Sequence, residues 1–123
     1  MIWLAVAAGG ALGSLARHGV NVWFARVLVR AIPDATASVN LIGAAVIGLL
    51  AGLIAAGRLQ LSTAMRTFVF VGILGGFTTF SSLMLDTLVL GQAGDQSLAF
   101  RNVALQIAFG LAAVWGGYRM GLG

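Results

Sequence analysis

Cysteine is absent from this 123-residue chain, and histidine and proline occur once each. Without cysteine there is no disulfide, no thiolate metal site and no cysteine nucleophile, and the redox compartment stays undetermined. Only 8% of residues are charged, far below the quarter or so usual in soluble domains. One histidine and three carboxylates give no cluster with metal-ligand spacing and no serine, histidine and carboxylate on one face, so enzyme chemistry has few residues to work with. All seven basic residues are arginines, scattered singly between apolar runs, which excludes the clustered footprint of a nucleic-acid binder. No phosphate-binding glycine loop is present, because Gly75-Gly76 lies between apolar residues rather than before a basic one.

What remains is strongly apolar: 60% of residues are hydrophobic, and the mean hydropathy is +1.04. The chain reads as an all-α integral membrane protein forming one domain over 1–123, with room for about four spans at roughly 20 residues each. The first span covers residues 2 to about 25; Met1-Ile2-Trp3-Leu4 lack a positive leader and read as its start. A loop over 26–34 holds Arg30 and Pro33, and 35–57 is uncharged throughout. A polar turn over 58–66 leads to a third span ending near 91, a Gly-rich turn follows, and a fourth span covers about 98–118. Both termini then lie on one side.

The third span is the unusual one. Nineteen residues separate Arg66 from Asp86, enough to cross hydrocarbon, yet its centre reads Gly75-Gly76-Phe77-Thr78-Thr79-Phe80-Ser81-Ser82. Two adjacent glycines cost about 2 kcal/mol of helix propensity, and four hydroxyls follow within five residues. The expectation is a helix that unwinds from Gly75 to Thr79 near the midplane. Non-helical backbone survives there only when buried in protein or lining a polar cavity, so the break points to an ion site.

Arginines balance across the expected bundle: Arg26, Arg30 and Arg101 on one side, Arg58, Arg66 and Arg119 on the other. Positive charge therefore sets almost no orientation, which suggests a dual-topology chain pairing as an antiparallel dimer. Gly9 and Gly13, Gly48 and Gly52, Gly72 and Gly76, and Gly117 and Gly121 stand four apart, the spacing of close helix contacts.

Several uncharged polar residues recur at helical spacing. Thr36 and Asn40 share a face, Thr78 shares one with Ser81 and Ser82, Phe77, Phe80 and Leu83 stand at threes, and Asn102, Gln106 and Gly110 stand at fours. Each set reads either as interhelical bonding and packing or as the lining of a pore in which amides, hydroxyls and ring edges meet an anion. Arg17 faces a watery vestibule or the bundle interior, His18 is an interfacial or a pH-responsive group, and Asp86 suits an arginine near the membrane edge.

Gly9-Gly10-Ala11-Leu12-Gly13-Ser14-Leu15-Ala16-Arg17, then Thr36 through Gly43, then Gly72-Ile73-Leu74-Gly75-Gly76-Phe77-Thr78-Thr79-Phe80-Ser81 resemble the three signature segments of the Fluc (CrcB) fluoride channels. The likeness covers the whole chain in length, span count and motif order. The resemblance implies a passive fluoride exporter of the bacterial plasma membrane, an antiparallel dimer with two pores. By it, Asn40 and Phe80 line the fluoride path, carbonyls of Gly75 and Thr78 from two subunits hold a structural sodium ion, and Arg17 stands at the vestibule. Thr36, Ser81, Leu83, Asn102 and Gln106 complete the candidate pore. Leu83 replaces a second pore phenylalanine, and Asn102 and Gln106 replace tyrosine and serine. Those departures leave open an altered track, slower conduction or a homologous partner subunit. A small multidrug exporter, which needs a membrane carboxylate, and a non-conducting scaffold, which does not explain the break, are the alternatives.

Overall fold

Helices α1 (Ile2–Val27) and α2 (Asp34–Ala55) are unbroken in the computed structural model, which describes residues 1–27 and 34–123. Arg30 and Pro33 of the expected first loop lie outside the described residues. A short turn of helix, α3 (Thr63–Arg66), leads into a π-helical stretch, Thr67–Leu74, and then α4 (Gly75–Phe77). After two extended residues come α5 (Phe80–Gln92) and α6 (Gln96–Leu122). No strand occurs among the described residues.

Local chemistry sets the ends. Ser62 accepts the Met65 N–H at 3.2 Å and Asp95 the Leu98 N–H at 2.9 Å, so α3 and α6 each begin on a side-chain cap. α2 and α5 end in matching turns. Arg58 N–H reaches the Leu53 carbonyl at 2.9 Å and Asp95 N–H the Leu90 carbonyl at 3.1 Å, six-residue closures that need a left-handed residue; Gly57 (φ 71°) and Gly94 (φ 86°) supply it.

The outer surface is apolar: Trp3, Leu15, Leu85, Phe109, Leu111 and Trp115 are all exposed, as in helices surrounded by lipid. Among the described residues three stretches are long and apolar enough to cross a membrane, Asp34–Ala55, Thr63–Gln92 and Gln96–Leu122, whose 18-residue windows have mean hydropathies of 2.2, 1.8 and 1.5. The protein is a multi-pass membrane bundle. α1 matches them in length at 26 residues, but Arg17, His18, Asn21 and Arg26 dilute its second half.

Glycines bring the helices together in two pairs. α2 runs parallel to α6: a Cβ on Gly48 would meet the Val114 carbonyl and one on Gly52 the Tyr118 carbonyl, while Gly117 and Gly121 press on Ala45 and Leu49. α1 runs parallel to 63–77, where Gly9 meets Phe68 and Gly72, and Gly13 meets Ile73 and Phe77. Every one of the four spaced pairs therefore lies at a helix contact where backbone meets backbone.

The break is shorter and later than the sequence implies. Gly75–Phe77 stays helical, and only Thr78 (φ −85°, ψ 158°) and Thr79 (φ −151°, ψ 113°) are extended. Gly76 serves close approach rather than unwinding, since a Cβ there would lie 2.7 Å from the Gly10 carbonyl oxygen on α1. The π-helical stretch has no counterpart in the sequence reading. Threonine hydroxyls bracket it: Thr67 donates to the Thr63 carbonyl and Thr78 to the Leu74 carbonyl, both at 2.9 Å, competing with the backbone for the carbonyl four residues back.

Candidate functional site

The two extended residues leave backbone groups that a continuous helix would pair, and Asn40 on α2 takes them. Its Oδ1 accepts the Thr79 N–H at 2.8 Å, and its Nδ2 donates to the Thr79 carbonyl at 3.1 Å. The carboxamide thus pairs with Thr79 as a neighbouring strand would. Nδ2 also donates to Gln106 Oε1 at 2.9 Å, so both of its hydrogens are engaged.

From there the donors run one way along α6 and back to α5. Gln106 Nε2 donates to Asn102 Oδ1 at 2.9 Å, Asn102 Nδ2 to Thr87 Oγ1 at 3.0 Å, and the Thr87 hydroxyl to the Leu83 carbonyl at 2.7 Å. Asn102 and Gln106 are 7% and 8% exposed, and no buried side-chain polar atom among the described residues lacks a partner. This neutral chain ties α2, α5 and α6 to the break.

Thr79 caps α5: its hydroxyl accepts the Ser82 N–H at 3.2 Å and contacts the Ser82 and Ser81 hydroxyls at 3.1 and 3.2 Å. The sequence grouping of Thr78 with Ser81 and Ser82 is therefore corrected. A continuous helix would put those three on one face, but the extended backbone turns Thr78 back to Leu74 and gives Thr79 to the serines.

The turned amides have a second effect. Thr79 N–H and Ser82 N–H would ordinarily reach the Gly75 and Thr78 carbonyls four residues back; they point instead to Asn40 Oδ1 and Thr79 Oγ1. Gly75 and Thr78 are thus left with carbonyl oxygens suited to a hard cation, and they line one cavity. No group of three or more acidic, histidine or cysteine residues is present among the described residues.

That cavity, about 390 Å³, brings together Asn40, Gly43, Gly75, Thr78, Phe80 and Leu83. Phe80 stands 73% exposed at its edge, whereas Leu83 is buried. Gly43 makes room beneath the break, because a Cβ there would collide with the Thr78 methyl. Other expected residues lie apart. Thr36 donates to Asp86 Oδ2 at 2.7 Å, making that hydroxyl the partner of a carboxylate for which the sequence suggested an arginine. Arg17 is half-buried on α1, one turn beyond the Gly13 contact with Phe77.

Sequence reasoning missed Thr79, Thr87 and the role of Gly43. Thr79 was visible as a hydroxyl inside the break, but a helical wheel drawn through the break assigns it the wrong neighbours.

Apolar helices surrounding a neutral polar strip and an interrupted span define a multi-pass membrane protein of the ion-channel class. A family model described as "CrcB-like protein, Camphor Resistance (CrcB)" matches residues 4–118, and the chain belongs to that family. It is 47% identical over 116 residues to the fluoride-specific ion channel FluC 2 of Symbiobacterium thermophilum, covering 94% of this chain and 93% of that protein. It is 44% identical to the fluoride-specific ion channel FluC of Thermus thermophilus over 97% of this chain and 92% of that one. The FluC of Parabacteroides distasonis is 42% identical over 92% of this chain and 87% of its own length.

Proposed function

We propose that this chain is a subunit of a fluoride-specific channel that lets fluoride leave the cell passively across the bacterial plasma membrane. Four spans, with α1 as the first, assemble as an antiparallel dual-topology dimer. The observation that carries the reading is the Thr78–Thr79 interruption, held open by Asn40 and lining a cavity. Backbone of that kind at membrane depth needs protein or water against it, and a second copy supplies the protein. The balanced arginines favour insertion in both orientations, and exposed Phe80 gives the partner an apolar anchor.

Fluoride is small and strongly hydrated, so its path must replace water with many donors while binding loosely. Asn40, Phe80 and Leu83 line the path, Ser81 adds a hydroxyl, Gln106 and Asn102 supply amide donors, and Thr36, whose hydroxyl donates to Asp86, stands farther along it. Because Asn40 spends both N–H groups on Thr79 and Gln106, it shapes the path while its neighbours donate. The start of α5 adds the partial positive charge of a helix N-terminus beside Phe80 and Ser81. Between two copies, the carbonyls of Gly75 and Thr78 hold a sodium ion, whose charge favours anions nearby. Arg17 supplies positive charge toward a vestibule.

Purified protein in liposomes tests the proposal with a fluoride electrode. Fluoride efflux well above chloride efflux is expected, with loss of flux in Phe80→Ala. Vesicles that retain fluoride but expel a cationic dye would refute it in favour of an exporter. Reporters fused to the C-terminus should appear on both sides of the membrane; a single location removes the dual-topology dimer.

A further inference from the structure

The seam between the two close helix pairs is open at one end. α2 meets α6 through Gly48 and Gly52, and α1 meets 63–77 through Gly9 and Gly13, but a groove of about 570 Å³ remains where the last turns of α2 pass the start of the third span. Ala51 and Ala55, one turn apart, leave that space; Ile54, Phe70, Val71 and Tyr118 wall it, and Arg66 stands at its outer end. We propose that this groove holds one anionic phospholipid, its phosphate on the Arg66 guanidinium and the upper part of an acyl chain between α2 and the third span. The site is separate from the ion path and stands whether or not the chain conducts fluoride.

Charge complementarity selects the headgroup. The whole chain has three carboxylate side chains. Asp34 opens α2, Asp86 accepts from Thr36 beside it, and Asp95 caps the start of α6, which runs parallel to α2, so all three lie at the end of the bundle away from Arg66. Arg58, Arg66 and Arg119 share the other end with no side-chain carboxylate to neutralise them. Equal arginine numbers at the two ends leave insertion unbiased, yet the net charges differ, and a headgroup meets the net charge. Arg58 is packed against Gly123, where a Cβ would touch its guanidinium, whereas Arg66 lines the groove. A guanidinium without a carboxylate at the membrane surface suits phosphate, which its planar fork grips through two N–H groups.

What lies beneath the guanidinium selects a lipid over a free ion. The Thr67 hydroxyl is engaged with the Thr63 carbonyl, and apart from Tyr118 the remaining walls are apolar, which suits hydrocarbon. From Ala51 to Ala55 the groove runs about 6 Å deep at ~1.5 Å per residue, room for the first methylenes of a chain below its headgroup. Val71 is 58% exposed, so the groove opens through the outer surface of the bundle, where acyl chains lie. In an antiparallel pair each leaflet would meet one such site.

Native mass spectrometry of the purified full chain, offered phosphatidylglycerol and phosphatidylcholine with the same acyl chains, reads the site. The parent chain should retain phosphatidylglycerol, one per subunit, in preference to phosphatidylcholine. Arg66→Gln should lower that preference about fivefold, the effect of one unit-charge contact at ~4 Å in water, and Arg66→Lys should keep most of it. Arg119→Gln, at the same end but outside the groove lining, should change it less than about twofold because salt screens distant charges. Ala55→Leu, which narrows the groove without altering charge, should lower retention of both lipids, and glycerol phosphate at equal concentration should displace neither. A preference that Arg66→Gln leaves unchanged, or that Arg119→Gln lowers equally, overturns the site, the latter by showing attraction to the whole end. Undiminished retention in Ala55→Leu removes the acyl chain from the groove and overturns the proposal as well. Displacement by glycerol phosphate would make this a free-anion site, and lipid held by monomers but never by dimers would give the groove to a second copy; either result refutes the lipid.

Discussion

Removing the Asn40 carboxamide should unfold the break before it alters any ion's path. In Asn40→Ala the Thr79 N–H and carbonyl lose bonds of 2.8 and 3.1 Å, and Gln106 Oε1 loses one of 2.9 Å. Thr79 is 8% exposed, so water reaches its backbone poorly. Each buried group left unpaired costs about 1–3 kcal/mol, which puts the two backbone groups together at about 2–6 kcal/mol. That is a large part of the 5–15 kcal/mol, roughly, that separates folded from unfolded states in most proteins. Asn40→Asp should be no better: one oxygen can still accept the Thr79 N–H, but the other faces the Thr79 carbonyl and Gln106 Oε1 with no hydrogen to offer. Helix loss followed by circular dichroism during denaturant titration in detergent measures the cost. Phe80→Ala is the contrast, since that ring is 73% exposed in the single chain and its loss should leave chain stability unchanged while stopping fluoride flux. An Asn40→Ala protein as stable as its parent would refute the clamp. Lost flux in Asn40→Ala alone says nothing about direct anion contact, because the same change removes the geometry of Thr78 and Thr79.

Other outcomes follow from the same contacts. Gly52→Leu places a side chain against the Tyr118 carbonyl and should separate α2 from α6, with a stability loss of at least about 2 kcal/mol in the same titration; an unchanged midpoint would contradict the packing. Gly43→Ala should push the Thr78 methyl and reduce fluoride flux, and adding Thr78→Ser, which deletes that methyl, should restore much of it. Flux that the second substitution leaves low would show that Gly43 acts elsewhere. Replacing sodium with a bulky organic cation during purification should weaken subunit association and flux together if the Gly75 and Thr78 carbonyls hold the ion; equal behaviour in both salts would remove it.

The sequence shows contacts that repeat along one helix and hides those that depend on where a helix stops. Glycines four apart locate both close helix pairs, and Asn102 and Gln106, also four apart, are bonded to one another. Thr36 and Asn40 share a face as their spacing requires, yet one meets Asp86 and the other Thr79, because α5 starts only after the break and runs back past α2. Thr87 enters the polar chain across fifteen residues of sequence through the turn between α5 and α6, a relation no single-helix period encodes. Gly75-Gly76 advertises weak helix, and the glycine is used instead for contact with α1, while the residues that unwind are two threonines whose hydroxyls find local partners. Once Asn40 is allowed to hold Thr79, the rest is constrained. The Thr79 amide no longer serves Gly75 and the capped Ser82 amide no longer serves Thr78, because a single carboxamide and a single hydroxyl take them instead.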